Sequence, residues 1–242
     1  SIDSILNLGM NDAYVSKIAN SVGKKKAHEI YQRFIYNYSI AVHGLEPEMF
    51  ESIYHDKMRS VNVSDGNMLD ETSLSSIVEA SKNMFKMEVG NNFPQSLEEQ
   101  LDLAFLAMSR SWYRPSAKIL RAARGAPSDA GVGIILQEMA LGIGPNLSGS
   151  GQINMIDRET GESKLTGFFV PNSQGPDSML SSRSFHALSE QQRKAECQTK
   201  PSLESMHLGS FEIIKNVVME ASLKFGEAFQ FQFTIHQNNF YI

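Results

Sequence analysis

The sequence predicts an α+β protein whose first half is helical and whose second half is rich in strands. Apolar residues recur every three and four positions over residues 12–90, which is the period of amphipathic helices. After Gly125 the pattern changes to short alternating segments separated by turn-forming residues, which is typical of strands. With 242 residues, of which 41% are hydrophobic and 20% charged, the chain can bury a core of ordinary globular size.

The helical half begins with an amphipathic stretch that Gly44 and Pro47 terminate. The apolar stripe of this predicted helix consists of Ile30, Phe34, Ile35, Tyr38 and Val42. A second, shorter helix is predicted over residues 46–58.

A third helix is predicted over residues 70–90, with Asp70 or Thr72 as the N-cap and Gly90 as the stop. A fourth follows from Ser96 to Trp112, with the Ser96 side chain expected to cap its first turn.

The helical part ends with one more short helix over residues 116–124, after Pro115. We therefore predict a helical subdomain over residues 1–92, followed by connecting helices over residues 93–125.

The second half predicts a sheet with one helix. A buried strand is expected over residues 130–141, a hairpin from residues 151–157 and 163–171, and a helix over residues 211–225. The last fourteen residues, FQFQFTIHQNNFYI, predict a second strand pair with a turn in HQNN. The polar segment 178–210 is rich in serine and is expected to be a loop.

Composition excludes several function classes. A net charge of −5 and a pI of 5.7 give no sign of nucleic-acid binding. No apolar run is long enough for a membrane span. Cys197 is the single cysteine, so an intracellular, reducing compartment is expected, and the six scattered histidines show no metal-ligand spacing. The sequence begins with serine, and both of its ends suggest a piece of a longer protein.

Several segments, in this order, resemble the nucleotide-binding domain of pyruvate phosphate dikinase. They are SILNLGMND at 4–12, YQRFIYNYS at 31–39, FPQSLEEQL at 93–101, RSWYRPSAKILR at 110–121, GVGIILQEMALG at 131–142, SGSG at 148–151, TGESK at 160–164, NSQGPD at 172–177 and FTIHQNNFYI at 233–242. The resemblance implies a partial ATP-grasp-like domain with an inserted helical subdomain. It also implies that residues 126–242 form the C-terminal ATP-grasp subdomain, a mixed sheet with a helix.

In that family, phosphate passes from ATP to a histidine on a separate domain and then to pyruvate. The resemblance implies an adenine-binding hinge, whose matching residues here are Gln137, Glu138, Met139 and Leu141. Residues 134–139 also fit an ordinary central strand that binds nothing. The same resemblance implies a phosphate-binding turn at Ser148 and Gly149, although short Gly/Ser turns are common.

The resemblance also shows a loss of charge. The last strand of the family carries an Asp-x-Glu pair that binds metal, and these positions fall on Gln230 and Gln232. Phe168 stands at a further acidic position, and Pro176 replaces the Glu of a Gly-Glu-Asp segment. A glutamine brings no negative charge, so Mg²⁺ loses the main electrostatic reason to bind. We therefore expect no catalytic residue, no bound metal and no cofactor.

Two hypotheses follow. The first is a dikinase-like pseudoenzyme that serves as a structural or binding component of a larger assembly, with other protein subunits docking at places such as loop 178–210. The alternative is an ATP-binding fragment of a divergent dikinase that phosphorylates a histidine in another domain. It requires ATP and Mg²⁺, with a relocated metal ligand such as Glu138, Asp157 or Asp177.

Overall fold

The computed structural model describes residues 5–127, 129, 131–156, 161–174, 185–225 and 230–241. The chain divides into two compact units, Ser1–Gln137 and Glu138–Ile242. The first unit is helical, and the second is an antiparallel sheet with helices. The α+β class predicted from the sequence is therefore confirmed.

Six α-helices lie among the described residues of the helical unit. They are α1 (Asp12–Val22), α2 (Lys24–His43), α3 (Pro47–Ser60), α4 (Glu71–Val89), α5 (Leu97–Trp112) and α6 (Pro115–Ala123). The predicted ends of α2 and α4 are confirmed, since Gly44 and Gly90 both adopt left-handed backbone conformations there. Asp70 caps α4 and accepts a hydrogen bond from the Ser73 amide. Ser96 does precede α5, but its side chain makes no capping hydrogen bond.

The core of the helical unit is aromatic. Phe93 lies at its centre, with its ring 5.1 Å from Phe85, 5.6 Å from Tyr38 and 5.8 Å from Phe34. The edge-to-face angles of these pairs match the preferred packing of aromatic rings. Helices α2 and α4 therefore share one core with the segment that precedes α5. The unit extends to Gln137 and includes α5 and α6.

The predicted buried strand over residues 130–141 is wrong for the described residues from 131 onward. Residues 131–143 form no strand. Ile135 is 90% exposed and Leu136 is also exposed. An apolar sequence favours a strand only when neighbouring strands complete its hydrogen bonds, and the described sheet offers this segment none.

The sheet unit contains five strands and three α-helices among the described residues. The strands are β1 (Gly149–Ile156), β2 (Ser163–Pro171), β3 (His186–Ala187), β4 (Gln230–His236) and β5 (Asn239–Tyr241), and the helices are α7 (Glu190–Ala195), α8 (Leu203–Met206) and α9 (Leu208–Phe225). The strand order is β3-β2-β1-β4-β5 and every pairing is antiparallel. The predicted hairpin β1–β2 and the strand pair β4–β5 are confirmed. The prediction of a mixed sheet is wrong for the described strands, because each neighbour is reached by a reversal of direction rather than by a crossover.

One face of the sheet is packed against helix α9. The buried residues of this core are Ile153, Phe169, Leu188, Leu203, Phe211, Ile214, Val218, Phe233 and Ile235. Gly151 lies beneath the Phe233 ring, where a Cβ atom would come within 2.6 Å of the ring Cζ. The register of β1 and β4 is thus fixed by a close contact that only glycine permits.

The segment predicted as loop 178–210 is partly outside the described residues. From residue 185 onward that prediction is wrong, because the chain forms β3, α7 and α8. Leu188 and Leu203 are fully buried in the core of the sheet unit. The serines that suggested a loop instead cap helices: Ser189 accepts from the Gln192 amide and Ser202 from the Ser205 amide.

Candidate functional site

The second face of the sheet carries polar side chains and is the candidate functional site. Residues paired across neighbouring strands lie on the same face. Gln152 of β1 is paired with Gln232 of β4, and Asn154 of β1 is paired with Gln230 of β4. These four residues form a two-by-two block of side-chain amides, which we call the carboxamide floor.

Strand β4 contributes to the carboxamide floor with one face and to the hydrophobic core with the other. Gln230 and Gln232 are exposed, whereas Phe233 and Ile235 are buried against α9. The alternation of the sequence predicts this arrangement. The two glutamines therefore face away from the hydrophobic core and are accessible to solvent.

Strand β2 borders the floor with apolar surface. Phe168 is paired with Gln152, and Thr166 is paired with Asn154. The Phe168 ring packs against Phe185, with 4.7 Å between ring centroids. The position at which the sequence resemblance expects an acid is therefore part of an aromatic pair.

One end of this face is covered by two segments of the same unit. Ser150 lies two residues before Gln152, and its Oγ is 2.9 Å from the Oγ of Ser173. The Ser150 amide donates to the same Ser173 oxygen at 3.3 Å. This pair fixes the chain after β2 above the sheet.

The second covering segment runs from Met139 to Gly144. The Gln174 side chain donates to the Met139 sulfur at 3.9 Å. A Cβ atom at Gly142 would collide with the Ser173 carbonyl oxygen and lie 3.1 Å from the Thr234 methyl group. Gly142 has φ +59°, so both its backbone angle and its surroundings require glycine. The segment from Met139 to Gly144 thus lies at the end of the carboxamide floor.

The residues predicted for an adenine hinge are placed unequally. Gln137 and Glu138 are exposed, and the division between the two units falls between them. Met139 and Leu141 are half-buried in the sheet unit. Contact with a base stays a prediction for all four residues.

The predicted phosphate turn has internal partners. Ser148 is 2% exposed, and its Oγ accepts from the Gln237 amide at 3.0 Å and donates to the Pro145 carbonyl at 3.3 Å. Gly149 is the first residue of β1 and is paired with both β2 and β4. Phosphate binding at Ser148 and Gly149 stays a prediction.

Carboxylates are missing from the described strands around the floor. In β1, β2 and β4 the ionisable residues are Lys164 and His236. Throughout the described residues, no group of three histidine, cysteine or acidic side chains is placed to hold a metal ion. Of the relocated ligands considered from the sequence, Glu138 is exposed, while Asp157 and Asp177 lie outside the described residues.

Comparison with known proteins identifies proteins to which the chain is similar. No protein-family model matches the chain. The chain is 28% identical over its whole length to pyruvate, phosphate dikinase of Rhizobium meliloti, and 32% identical over 180 residues to the chloroplastic enzyme of Flaveria trinervia. The chain is a relative of the pyruvate, phosphate dikinases. The chloroplastic dikinase of Mesembryanthemum crystallinum is 33% identical over 176 residues.

The chain spans only part of these dikinases. It covers 27% of the Rhizobium protein and 18% of the Flaveria protein. That share is consistent with one N-terminal domain of a longer dikinase. Among the described helices, none combines the length and the apolar character needed to cross a lipid bilayer.

Sequence reasoning missed half of the carboxamide floor in this dikinase relative. The sequence predicts Gln152 and Asn154 only as part of a hairpin strand. Their alternation with Gly151 and Ile153 signals a polar face, but the register against β4 is set by packing and is not visible in the sequence. The partners of Gln230 and Gln232 therefore became apparent only in the structure.

Proposed function

We propose that this chain is a dikinase-like pseudoenzyme, a structural or binding component of a larger assembly in which phosphotransfer has been lost. One observation carries the proposal: Gln230 and Gln232 stand opposite Asn154 and Gln152, with no carboxylate among the four. Phosphoryl transfer from ATP depends on a metal ion that neutralises the phosphates, and hard cations bind carboxylate oxygens. The scaffold is an ATP-grasp-like domain in this proposal, by its resemblance to the dikinases.

Exposed apolar side chains support a role within a larger assembly. Helix α9 packs one side on the sheet and exposes large apolar side chains on the rest of its surface. They are Leu208, Ile213, Val217, Met219, Leu223 and Phe225. Apolar surface of this kind is typical of protein interfaces. We therefore propose other protein subunits or domains as partners.

The alternative, an ATP-binding fragment of an active dikinase, is favoured by the identity of 28–33% to dikinases from bacteria and plants. It needs a metal ligand outside the floor, for which Glu138 is the candidate among the described residues. An active protein would pass phosphate from ATP to a histidine. The two hypotheses therefore differ in a measurable reaction.

The experiment is a pair of assays on the full-length protein. The first follows label from radioactive ATP into protein histidine and pyruvate, with Mg²⁺ present. The second measures the shift of the melting temperature with ATP. If ATP binds, a hundredfold excess over Kd stabilises the folded protein by about 2.7 kcal/mol. We expect neither label transfer nor stabilisation by ATP. Mg²⁺-dependent transfer that is lost in Glu138→Gln would overturn the proposal in favour of the alternative.

A further inference from the structure

Helix α5 of the helical unit has one face in the core of its unit and an opposite face that is exposed. The buried residues of the inner face are Gln100, Ala104, Ala107 and Ser111. On the opposite face, the exposed residues at intervals of four are Glu98, Asp102, Leu106 and Arg110. Side chains four residues apart form one row along a helix. We call this row of four residues the α5 ridge.

The α5 ridge separates its charges along the helix. Two acidic residues come first, Leu106 lies in the middle and Arg110 follows. The centre is apolar, since Leu106 is 46% exposed and the adjacent Phe105 is 38% exposed. Arg114, just after the end of the helix, is exposed and extends the basic side. The ridge therefore has an acidic half and a basic half on either side of an apolar centre.

These charges lack partners within the fold. Among the described residues, no ion pair involves Glu98, Asp102, Arg110 or Arg114. Acidic residues in the first turn and a basic residue in the last turn complement the helix macrodipole. That effect falls off beyond the end turns, so it explains neither Asp102 in the second turn nor the exposed Leu106. Moreover, Glu98 and Asp102 carry like charges four residues apart, which destabilises a helix without a partner.

A second copy of α5 in the antiparallel direction matches this order of charges. Asp102 precedes Leu106 by four residues and Arg110 follows it by four, so each lies about 6 Å from Leu106 along the helix axis. A twofold axis at Leu106 therefore places Asp102 opposite Arg110 of the second copy. The same axis places Glu98 on the side of Arg114, eight residues before and after Leu106. Symmetry repeats each of these pairs.

We propose that the protein forms a twofold-symmetric dimer through the α5 ridge, with reciprocal ion pairs between Asp102 and Arg110 around a central Leu106 contact. A second copy is the occupant that the ridge itself specifies, because its two halves are complementary to each other. One pair of helices buries less surface than the roughly 1,600 Å² of a standard interface, so we expect a weak dimer that dissociates in dilute solution. Dimerisation goes beyond the proposed function and does not depend on the loss of phosphotransfer.

The first test is sedimentation of the full-length protein between micromolar and submillimolar concentrations. We expect the wild type to dimerise as its concentration rises. Asp102→Arg and Arg110→Asp should each weaken the dimer at least about tenfold, because two attractive pairs become repulsive. Glu88→Arg makes the same change in charge as Asp102→Arg at an exposed position on α4, and as the control it should dimerise like the wild type. A wild type that stays monomeric would overturn the proposal in favour of a different protein subunit on this face.

Mixing the two charge-reversal variants tests the antiparallel arrangement itself. In Asp102→Arg both charged positions next to Leu106 are basic, and in Arg110→Asp both are acidic. Each variant therefore repels its own copy, whereas the two variants complement each other. We expect heterodimers in the mixture, with each variant monomeric by itself. Both positions are exposed, so both variants should fold, which circular dichroism can verify. A mixture without heterodimers, or variants that dimerise as tightly as the wild type, would overturn the proposal.

Discussion

Carboxamide side chains have different environments in the two units. In the helical unit, Gln100 is fully buried and accepts from the Gly9 amide at 2.8 Å while donating to the Met10 and Pro94 carbonyls at 3.0 and 2.9 Å. In the sheet unit, Gln232 of the carboxamide floor is exposed to solvent. The comparison teaches that residue type alone does not distinguish an amide that stabilises the fold from one that is accessible to a ligand. Burial and the identity of the partners do.

The largest effect on the free energy of unfolding should come from substitution of Gln100. Gln100→Leu leaves the Gly9 amide and the Met10 and Pro94 carbonyls without their side-chain partner, and unsatisfied buried groups cost about 1–3 kcal/mol each. We expect the free energy of unfolding to fall by about 3 kcal/mol in a urea titration. Asp102→Leu, on the exposed side of the same helix, is the control and should change it by less than about 0.5 kcal/mol. Equal losses of stability in the two variants would contradict a structural role for the Gln100 amide.

A second effect concerns acid stability, and it arises in the helical unit. Burial, with a smaller contribution from Arg110, lowers the pKa of His43 below its ordinary value of 6.5. Its Nε2 is buried without a partner among the described residues, and its ring lies 4.8 Å from Phe85. The unfolded state therefore binds a proton that the folded state refuses, so stability falls as the pH drops below 6.5.

The measurement for His43 is the free energy of unfolding between pH 8 and pH 5. We expect the wild type to lose stability over the lower part of this range and His43→Gln to lose less. Identical slopes for the two proteins would show that His43 is not the group responsible.

The smallest effect on the free energy of unfolding should come from substitution in the carboxamide floor. Gln232→Leu removes an exposed side chain on β4 and should change the free energy of unfolding by no more than about 0.5 kcal/mol. Urea titration beside Gln100→Leu measures the difference directly. A loss of 2 kcal/mol or more would mean that the floor stabilises the fold, and would remove the ground for assigning it to a ligand.

The sequence predicts the elements better than their pairing. Glycines at positions 44 and 90 end their helices as expected, because each adopts the left-handed conformation that favours glycine at a helix C-terminus. The hairpin and the β4–β5 pair follow from alternation and turn chemistry. At that turn Gln237 and Asn238 both have positive φ, as a tight two-residue connection requires.

The failures have physical causes. Residues 131–137 are apolar enough for a strand, yet a strand exists only where a neighbour completes its hydrogen bonds. Leu188 and Leu203 are too widely spaced among polar residues to mark the short elements that they anchor in the core. Half of the candidate site, Gln152 and Asn154, depends on strand register, which tertiary packing decides.

The most direct test of the central claim is Mn²⁺ binding, followed by electron paramagnetic resonance in the absence of nucleotide. The claim is that the dikinase-like scaffold persists while its metal chemistry is lost at Gln230 and Gln232. We expect no Mn²⁺ bound at this face in the wild type, and one bound Mn²⁺ per chain in the double variant Gln230→Asp, Gln232→Glu, because two carboxylates restore the charge that a hard cation needs. A wild-type Mn²⁺ site that disappears in Gln230→Leu or Gln232→Leu would contradict the claim.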